Sequence, residues 1–463
     1  MLPKTYVMRL VGVMLAVTLA GCTTPPVAVD AINASTVPDT WSLMLKSDPS
    51  LRVDSADFWT RWNDPTLSQL VKRAEAASPK VEIALANLQA ARASITAAHA
   101  NLWPSASIGA NADKSRAHNQ TTNTYSANLQ GSWSVNLAGA DYAQYDAALY
   151  EARSQAWALE GVKNQIVAEV AIAYVNWRAA QGKETLLEQT LRSYEDTAKL
   201  ARWKAESGLG AQSDYETAQV QVKTTQVQLL NVQQAKAQYL NAIARLTAQP
   251  NNALGLPSGT EVPLPQGNLA VAIPAQVLMR RPDILSSLES LMSATKSLDV
   301  AKRNFFPTLT LTGSLGTQAA TIGALGASGT GVGALAGALT MTVLNWGNLV
   351  AQEKSAQAQL DLAKANYRDT LVNALEETDN ALWALDVSQR ASRSLDEAVK
   401  HAQNAANLAQ LSYQSGLGDY NTLLTAQRNL LSAQESAIEN RASIGTAYAT
   451  LYRTLGGAWT TQP

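Results

Sequence analysis

Two long stretches of the chain carry a helical pattern of apolar and polar residues. Residues 141–207 and 348–415 mix Ala and Leu with charged residues and contain no proline. Each stretch therefore predicts one long helix, on the order of 100 Å if unbroken. Shorter helical patterns at 64–101 and 281–304 come before them.

A seven-residue repeat of small or apolar side chains follows each long stretch. Its members are Ala218, Thr225, Val232, Tyr239 and Leu246 in the first half, and Leu423, Leu430, Ala437, Ile444 and Leu451 in the second. This spacing is typical of a helix that packs one stripe against a neighbouring helix. We therefore predict two antiparallel helical hairpins.

Strand periodicity appears once in each half of the chain. Residues 308–312 alternate Thr with Leu, and residues 105–108 alternate Ser with apolar residues, which indicates strands with two different faces. Return strands are predicted at 126–137 and 334–344. Each half therefore contains one predicted β-hairpin.

The two halves repeat each other in order. Asn-Leu-Trp-Pro at 101–104 corresponds to Asn-Phe-Phe-Pro at 304–307, and Ser-Gly-Leu-Gly occurs at both 207–210 and 415–418. A cluster of five prolines between 250 and 274 separates the halves. The pattern predicts an internal duplication of about 200 residues, much longer than the unit of a repeat array.

The first residues have the features of a secretion signal. Lys4 and Arg9 precede an apolar run at 10–20 that is too short to span a bilayer. The run ends in Leu-Ala-Gly-Cys, which resembles a bacterial lipobox and predicts a covalent lipid on Cys22. An ordinary signal peptide with a chance cysteine is the alternative. Thr23 follows, and resemblance to bacterial lipoproteins then implies the outer membrane.

These patterns together give a domain organisation. We predict a signal peptide at 1–21, a lipidated N-terminal tether at 22–60, a first repeat at 61–249, a proline-rich connector at 250–280, a second repeat at 281–455 and a C-terminal tail at 456–463.

Composition excludes several classes of function. The chain has 36 Lys and Arg against 37 Asp and Glu, so no global positive field favours nucleic acid. Its one Cys and three His lie far apart, so no metal site is predicted. No catalytic triad is recognisable, so we expect neither an enzyme nor a cofactor other than the lipid on Cys22.

A long charge-free segment indicates contact with lipid. No Asp, Glu, Lys or Arg occurs between Arg303 and Glu353, and residues 117–140 are also uncharged. Residues 323–344 suit either a transmembrane helix or lipid-facing strands around a loop, and their six glycines favour strands. Aromatic residues near the strand ends fit an interfacial girdle, although core packing explains them equally well.

Open sheet edges cannot lie in hydrocarbon, because each unpaired backbone group there costs several kcal/mol. Four predicted strands are too few to close a barrel. Closure therefore requires several chains, and two would supply eight strands where three would supply twelve. The residues themselves leave this number open.

Five short segments occur in order in the second half of the chain. Arg280-Arg281-Pro282-Asp283 is followed by the aromatic-proline step at 305–307 and by residues 413–418, 423–427 and 455–459. In these segments the chain resembles the TolC-like outer-membrane efflux proteins, in their lipoprotein branch, with the arginine-arginine-proline-aspartate run as the signature. The resemblance covers nearly the whole chain.

The resemblance implies a mainly α-helical fold with a membrane β-barrel. Three copies would close a 12-stranded barrel in the outer membrane of a Gram-negative bacterium, with a helical barrel in the periplasm. The implied partners are a periplasmic adaptor and an inner-membrane pump. The implied function is a passive, gated exit duct for small molecules. A lipid-anchored coiled-coil scaffold or adaptor and a type I protein-secretion duct are alternatives, and no residue pattern identifies the substrate.

The resemblance also implies a periplasmic gate at the helical hairpin tips. The tips carry Gly208, Gly210, Gly416 and Gly418. Thr425 stands where the family often has Asp, so the candidate gate acids are Asp419, Asp214 and Glu216, although simple solvated turn charges explain them too. The signature residues Arg280, Arg281 and Asp283 are expected to be structural, with Asp283 at a helix N-terminus.

Overall fold

The protein divides into two compact units. The described residues of Ala86–Trp157 and Leu285–Thr370 form the first, and those of Thr36–Leu85, Ala158–Ile284 and Leu371–Pro463 form the second. This computed structural model describes residues 37, 38, 42, 58–118, 120–257, 259, 261–265, 280–344 and 346–457. The predicted signal peptide and most of the predicted tether and tail lie outside the described residues, as does part of the predicted connector.

Helices make up most of the described chain, and four strands form its sheet. The helices are α1 (Pro65–Ala77), α2 (Pro79–Ala100), α3 (Ala140–Glu206), α4 (Gln212–Leu246), α5 (Pro282–Arg303), α6 (Trp346–Gln414) and α7 (Tyr420–Thr454). The strands are β1 (Ser105–Ala117), β2 (Gln120–Asn136), β3 (Thr308–Ala319) and β4 (Gly331–Thr340). Short 3-10 turns lie at Thr60–Trp62, Asn251–Ala253 and Ile322–Ala324.

Prolines set where three helices begin. Pro65, Pro79 and Pro282 are the first residues of α1, α2 and α5. The amide hydrogen that proline lacks would have no partner within the helix at this position, so no hydrogen bond is lost. The pattern at 64–101 forms two helices rather than one continuous element, because the Pro79 nitrogen cannot donate to the carbonyl of the preceding turn. The carboxylate of Asp64 caps α1 by accepting from the amides of Thr66 and Leu67 at 2.9 and 3.1 Å.

The predicted long helices are confirmed. α3 has 67 residues and α6 has 69, and each is followed by a 35-residue returning helix. The seven-residue repeat is buried at Leu423, Ile444 and Leu451, whereas Leu430 and Ala437 between them are half-buried. The two halves therefore repeat the same helical hairpin, as the duplication predicts.

Both predicted β-hairpins are confirmed, and they join into one sheet. The strand order is β1-β2-β3-β4 with every neighbour antiparallel. Pairing of β2 with β3 links the hairpin of one half to the hairpin of the other. Residues 331–340 form a strand, so the strand interpretation of the glycine-rich segment is correct.

Among the residues that the structure describes, no helix is both long enough and apolar enough to cross a membrane.

A polar joint connects the sheet to its helices within the first unit. The side-chain oxygen of Asn136 accepts from the amides of Ala138 and Ala140 at 2.9 and 3.3 Å, and its amide group donates to the carbonyl of Arg303 at 3.2 Å. Arg303 in turn donates to the carbonyl of Gly139 at 2.9 Å. These bonds satisfy backbone groups where β2 ends and α3 begins.

The second unit holds the main hydrophobic core. α1, α3, α4 and α7 contribute the buried side chains Leu67, Tyr174, Ile243 and Leu451, and aromatic residues just before α1 pack against them. Trp62 there is 2% exposed. This packing provides the apolar burial that the long helices cannot obtain from their own surfaces.

The close approach of β2 and β3 at Gly316 yields a first prediction. A Cβ atom at Gly316 would lie 2.4 Å from the carbonyl oxygen of Ala127, so the strands would have to separate. We expect Gly316→Ala to lower the free energy of unfolding by about 1–3 kcal/mol, measured by thermal unfolding of the detergent-purified protein.

Gly331→Ala is the matched control, because a Cβ there meets no atom within 4 Å. Equal melting temperatures for the two variants would contradict the expected clash.

Candidate functional site

One face of the sheet is apolar across all four strands. Directly opposed residues of antiparallel strands share a face, and the register pairs Ile108 with Leu129, Leu129 with Leu315, and Leu309 with Leu339. The apolar members of this face are Ala106, Ile108, Ala110 and Ala112 of β1; Tyr125, Ala127, Leu129, Trp133 and Val135 of β2; Leu309, Leu311, Leu315 and Ala319 of β3; and Leu335 and Leu339 of β4.

The opposite face is polar but almost uncharged. Its polar members are Ser105, Ser107, Asn111, Asp113 and Ser115 of β1; Thr122, Thr124, Ser126, Asn128, Gln130, Ser132, Ser134 and Asn136 of β2; Thr308, Thr310, Thr312, Ser314 and Gln318 of β3; and Thr340 of β4. Hydroxyl groups pair across it, as between Ser134 and Thr310 at 3.0 Å. Such a surface suits contact with water.

The sheet has two open edges. Since β1 and β4 are the outer strands, neither has a second strand partner among the described residues. The apolar face is uncovered within the chain: Ile108, Leu315 and Leu335 are 85%, 69% and 88% exposed. An exposed apolar face of this extent marks a surface that meets lipid or another chain.

Aromatic side chains gather at the ends of the strands that join the helices. Trp103 and Trp346 are 64% and 50% exposed. The Trp133 indole donates to the carbonyl of Leu102 at 3.0 Å, and Phe305 packs edge-on against Trp346 with ring centroids 5.5 Å apart. This combination of exposed rings and anchored indole is typical of a membrane interface.

The second unit contains the two hairpin tips, which have the same turn. At Gly208 and Gly416 the backbone φ angles are 73° and 79°, which favours glycine. The next residues, Leu209 and Leu417, donate their amides back to carbonyls five positions earlier at 2.7 and 2.9 Å. This bonding closes the end of each long helix.

Gly210 and Gly418 complete the two turns. A Cβ atom at either position would lie 3.0 Å from the Cβ of Lys204 or Ser412, so the chain passes too close for a larger residue. The repeated Ser-Gly-Leu-Gly motif therefore specifies one turn geometry at both tips.

Three tyrosines pack between the hairpins just behind the tips. Tyr194, Tyr413 and Tyr420 are buried with Leu423 and Leu424, and the Tyr413 and Tyr420 rings meet edge-on at 5.9 Å. Burial, with a smaller effect of the neighbouring tyrosine, raises the pKa of Tyr420 to about 12. These phenols therefore stay neutral at physiological pH.

Lys204 joins the two hairpins at this cluster. Its ammonium lies 4.0 Å from the centre of the Tyr413 ring and donates to the Tyr413 carbonyl. Burial chiefly, and Asp214 in addition, raise the pKa of Tyr413. Asp214 of the first hairpin is thus electrostatically coupled to a tyrosine of the second.

The other candidate gate residues lie on the surface of the tips. Asp419 caps α7: its carboxylate accepts from the amide and hydroxyl of Thr422 at 2.8 and 2.7 Å, and these bonds hold its pKa below the ordinary value. Glu216 accepts from Gln212 at 3.0 Å, and Thr425 is exposed. The cap gives Asp419 a structural role that the sequence analysis did not identify, and its part in a gate stays a prediction.

Sequence reasoning missed two contacts of α7 with the first hairpin, one with α4 and one with α3. Arg428 donates to the side-chain oxygen of Gln221 at 2.8 Å, and Gln427 donates to Thr197 at 3.3 Å. Gln221 is 7% exposed. The available signal was a repeat: Ala-Gln occurs at 218–219 and again at 426–427, directly before Arg428. These bonds hold the two hairpins of one chain together.

The signature residue Arg281 is the centre of a buried polar cluster in the second unit. Its guanidinium contacts the carboxylates of Asp283 and Glu377 at 2.7 and 2.9 Å, and donates to the carbonyls of Ala374 and Thr454 at 3.3 Å each. The residue is 4% exposed. It ties the start of α5 to the middle of α6 and the end of α7.

The neighbouring signature residues differ in their environment. Arg280 is exposed, and its backbone carbonyl lies against Gly456. Pro282 and Asp283 form the first turn of α5, where the carboxylate is favoured by the helix dipole. Cys22, the predicted lipidation site, lies outside the described residues.

Comparison with known proteins identifies the family. Residues 70–249 and 273–457 match the family model described as outer membrane efflux protein. The chain belongs to the outer membrane efflux protein family. It is 30% identical over 412 residues to the toluene efflux pump outer membrane protein TtgC of Pseudomonas putida, and the match covers 86% of this chain and 84% of TtgC. It is 27% identical over 458 residues to outer membrane protein OprJ of Pseudomonas aeruginosa, covering 97% and 95%.

Solved structures agree with this assignment. The outer-membrane channel OprN matches with a TM-score of 0.83 and 26% identity, covering 91% of this chain and 97% of that chain. The open state of the Neisseria gonorrhoeae MtrE outer membrane channel matches with a TM-score of 0.80 and 25% identity, covering 91% and 96%. The expected fold class, outer-membrane location and efflux function are therefore confirmed: this efflux protein is an outer-membrane exit duct.

The Arg281 cluster yields a second prediction. Arg281→Ala removes the hydrogen bonds of the guanidinium to two carboxylates and two carbonyls. The carboxylates of Asp283 and Glu377 are 46% and 40% exposed, and Glu377 keeps its contact with Arg453, so we expect the free energy of unfolding to fall by about 1–3 kcal/mol. Urea unfolding followed by circular dichroism would measure the loss.

Arg280→Ala is the control on the adjacent residue, and its effect should stay within about 0.5 kcal/mol because the side chain is exposed. Similar losses for the two variants would show that the buried cluster is not the source of stability.

Proposed function

We propose that three copies of this efflux protein close a 12-stranded barrel in the outer membrane. The observation that carries the proposal is the open-edged, two-faced sheet. Its unpaired edges in β1 and β4 have to be satisfied within hydrocarbon, and pairing with the edges of neighbouring copies does this. Three copies of a four-stranded sheet supply twelve strands.

In this barrel one face of the sheet contacts lipid and the other contacts water. The face with Ile108, Leu315 and Leu335 contacts lipid, and the Ser, Thr and Asn face lines a water-filled path. Because the groups along this path are mainly uncharged hydroxyls and amides, we expect the path to bind none of its solutes tightly. The duct is passive, and the energy for transport comes from an inner-membrane pump reached through a periplasmic adaptor.

Small organic molecules are the proposed cargo. Curated relatives are named for efflux of toluene and of antibiotics. A scaffold or adaptor that only hangs from a lipid would cover its charge-free segments with protein. The exposure of Ile108 and Leu335 within the chain counts against that alternative.

The membrane role can be tested by removing the predicted anchor. We expect a Cys22→Ser variant, exported with a non-lipoprotein signal peptide, to remain detergent-dependent in outer-membrane fractions and to run as an SDS-resistant trimer. The strands themselves hold the protein in lipid in this proposal, so the loss of acyl chains changes little.

Appearance of the folded variant in the soluble periplasm would refute the barrel. The wild type with Cys22 and its own signal peptide, processed in parallel, controls for the efficiency of fractionation.

The gate can be tested at Asp419. We propose that the hairpin tips of three copies converge and that Asp419, with Asp214 and Glu216, gives the opening a negative ring. Asp419→Asn removes the charge but keeps a side-chain oxygen that can cap α7. We therefore expect a lower preference for K⁺ over Cl⁻ in single-channel recordings, without loss of folded protein.

Asp419→Ala removes both charge and cap, so it separates the two roles. Glu397→Gln neutralises an exposed acid that lies 17 residues before the end of α6, and it serves as control. Unchanged selectivity in Asp419→Asn would remove this residue from the gate, whatever the Ala variant does.

A further inference from the structure

Two basic residues interrupt the apolar face of the sheet. Lys114 and Arg116 are exposed and lie on the same face as Ile108, Ala110 and Ala112, opposite Asn123 and Thr121 of β2. No other residue of this face is charged within the described strands. Both are close to the turn that joins β1 to β2, at the end of the sheet away from its connections to the helices.

Lys114 and Arg116 lie far along β1 from the aromatic residues at the other end of the sheet. Nine residue steps separate Ser105, next to the aromatic end of the sheet, from Lys114. At about 3.3 Å per residue and a tilt of about 45°, this path rises roughly 20 Å. The apolar band of an outer-membrane barrel is about 25 Å tall, so Lys114 and Arg116 lie at its far boundary and not in its middle.

The net charge of this face is positive at that boundary. Asp113 is the sole acid between residues 101 and 140, and it belongs to the polar face. In the proposed barrel the second neighbour of β1 is β4 of another copy, and β4 contains no charged residue. The described strands of each copy therefore add two basic groups and no acid to the lipid-facing side of the barrel.

We propose that Lys114 and Arg116 bind the phosphate groups of anionic lipid in the outward-facing leaflet. The inference rests on the proposed barrel. Arg matches a phosphate with two parallel hydrogen bonds, and Lys adds a compact charge. A lipid, rather than a soluble anion, is the occupant because the apolar face continues without interruption from these residues toward the aromatic end. The bound headgroups fix the depth of the barrel in the membrane.

The test uses the full-length trimer in neutral detergent, titrated with bisphosphorylated lipid A and followed by native mass spectrometry. We expect binding to be about fivefold weaker in Lys114→Gln or Arg116→Gln, and about 25-fold weaker in the double variant, since each basic residue near a charged lipid surface contributes a similar amount. Lys223→Gln with Lys400→Gln, two exposed basic residues on α4 and α6, should leave binding unchanged.

Three outcomes would overturn the inference. Equal binding of dephosphorylated lipid A would show that acyl chains, not phosphates, make the contact. Full displacement by excess inorganic phosphate would indicate a soluble anion. Unchanged affinity in the double variant would exclude these residues.

Two further measurements keep the result interpretable. The exchange Lys114→Arg with Arg116→Lys retains both charges and should retain binding, which guards against a misfolded glutamine variant. A wild type that forms no detergent-dependent trimer would instead refute the proposed barrel, and this is distinguishable from a trimer that inserts but ignores phosphate.

Discussion

The backbone hydrogen bonds of the sheet are the constraint on which the rest of this protein depends. In hydrocarbon no water replaces a missing partner, so every amide and carbonyl of the four strands needs one within protein. Pairing of β2 with β3 satisfies the inner edges within the chain, whereas the outer edges of β1 and β4 have no strand partner among the described residues. In the proposed barrel neighbouring copies supply those partners, so folding of the membrane part and assembly of the copies are one process.

Internal duplication meets this constraint with one repeated unit. Each half supplies a β-hairpin and a helical hairpin, and the same Ser-Gly-Leu-Gly turn closes both long helices. The two copies are not equivalent, however. The first carries its charges at the end of β1, whereas the second has no charged residue from 304 to 352. In a closed ring of several copies, β-hairpins with a charged end would therefore alternate with uncharged β-hairpins.

Much of the fold was predictable because its signals are local. Long proline-free stretches, the Thr-Leu alternation at 308–312 and the repeated tip motif specified helices, strands and turns. The extension of β1 to Ala117 was not predicted, because Lys114 and Arg116 stand at positions of the apolar face and break its pattern. Bonds such as that between Arg428 and Gln221 join residues 207 positions apart, and a single sequence does not record which distant residues meet. The cap made by Asp419 was within reach, since Asp immediately before a helix is a common start signal.

The small side chains of the polar face have a consequence for the cell. At β4 this face carries Val332 and three alanines, Ala334, Ala336 and Ala338, and elsewhere it is mostly Ser and Thr. In the proposed barrel such short groups occupy little of the interior and form no plug, and Asp113 is the one charged residue of this face within the described strands. A bacterium with many such openings would lose the permeability barrier that its outer membrane provides. The seal therefore has to be made by another part of the chain, and how tightly it closes decides how many copies the cell can tolerate.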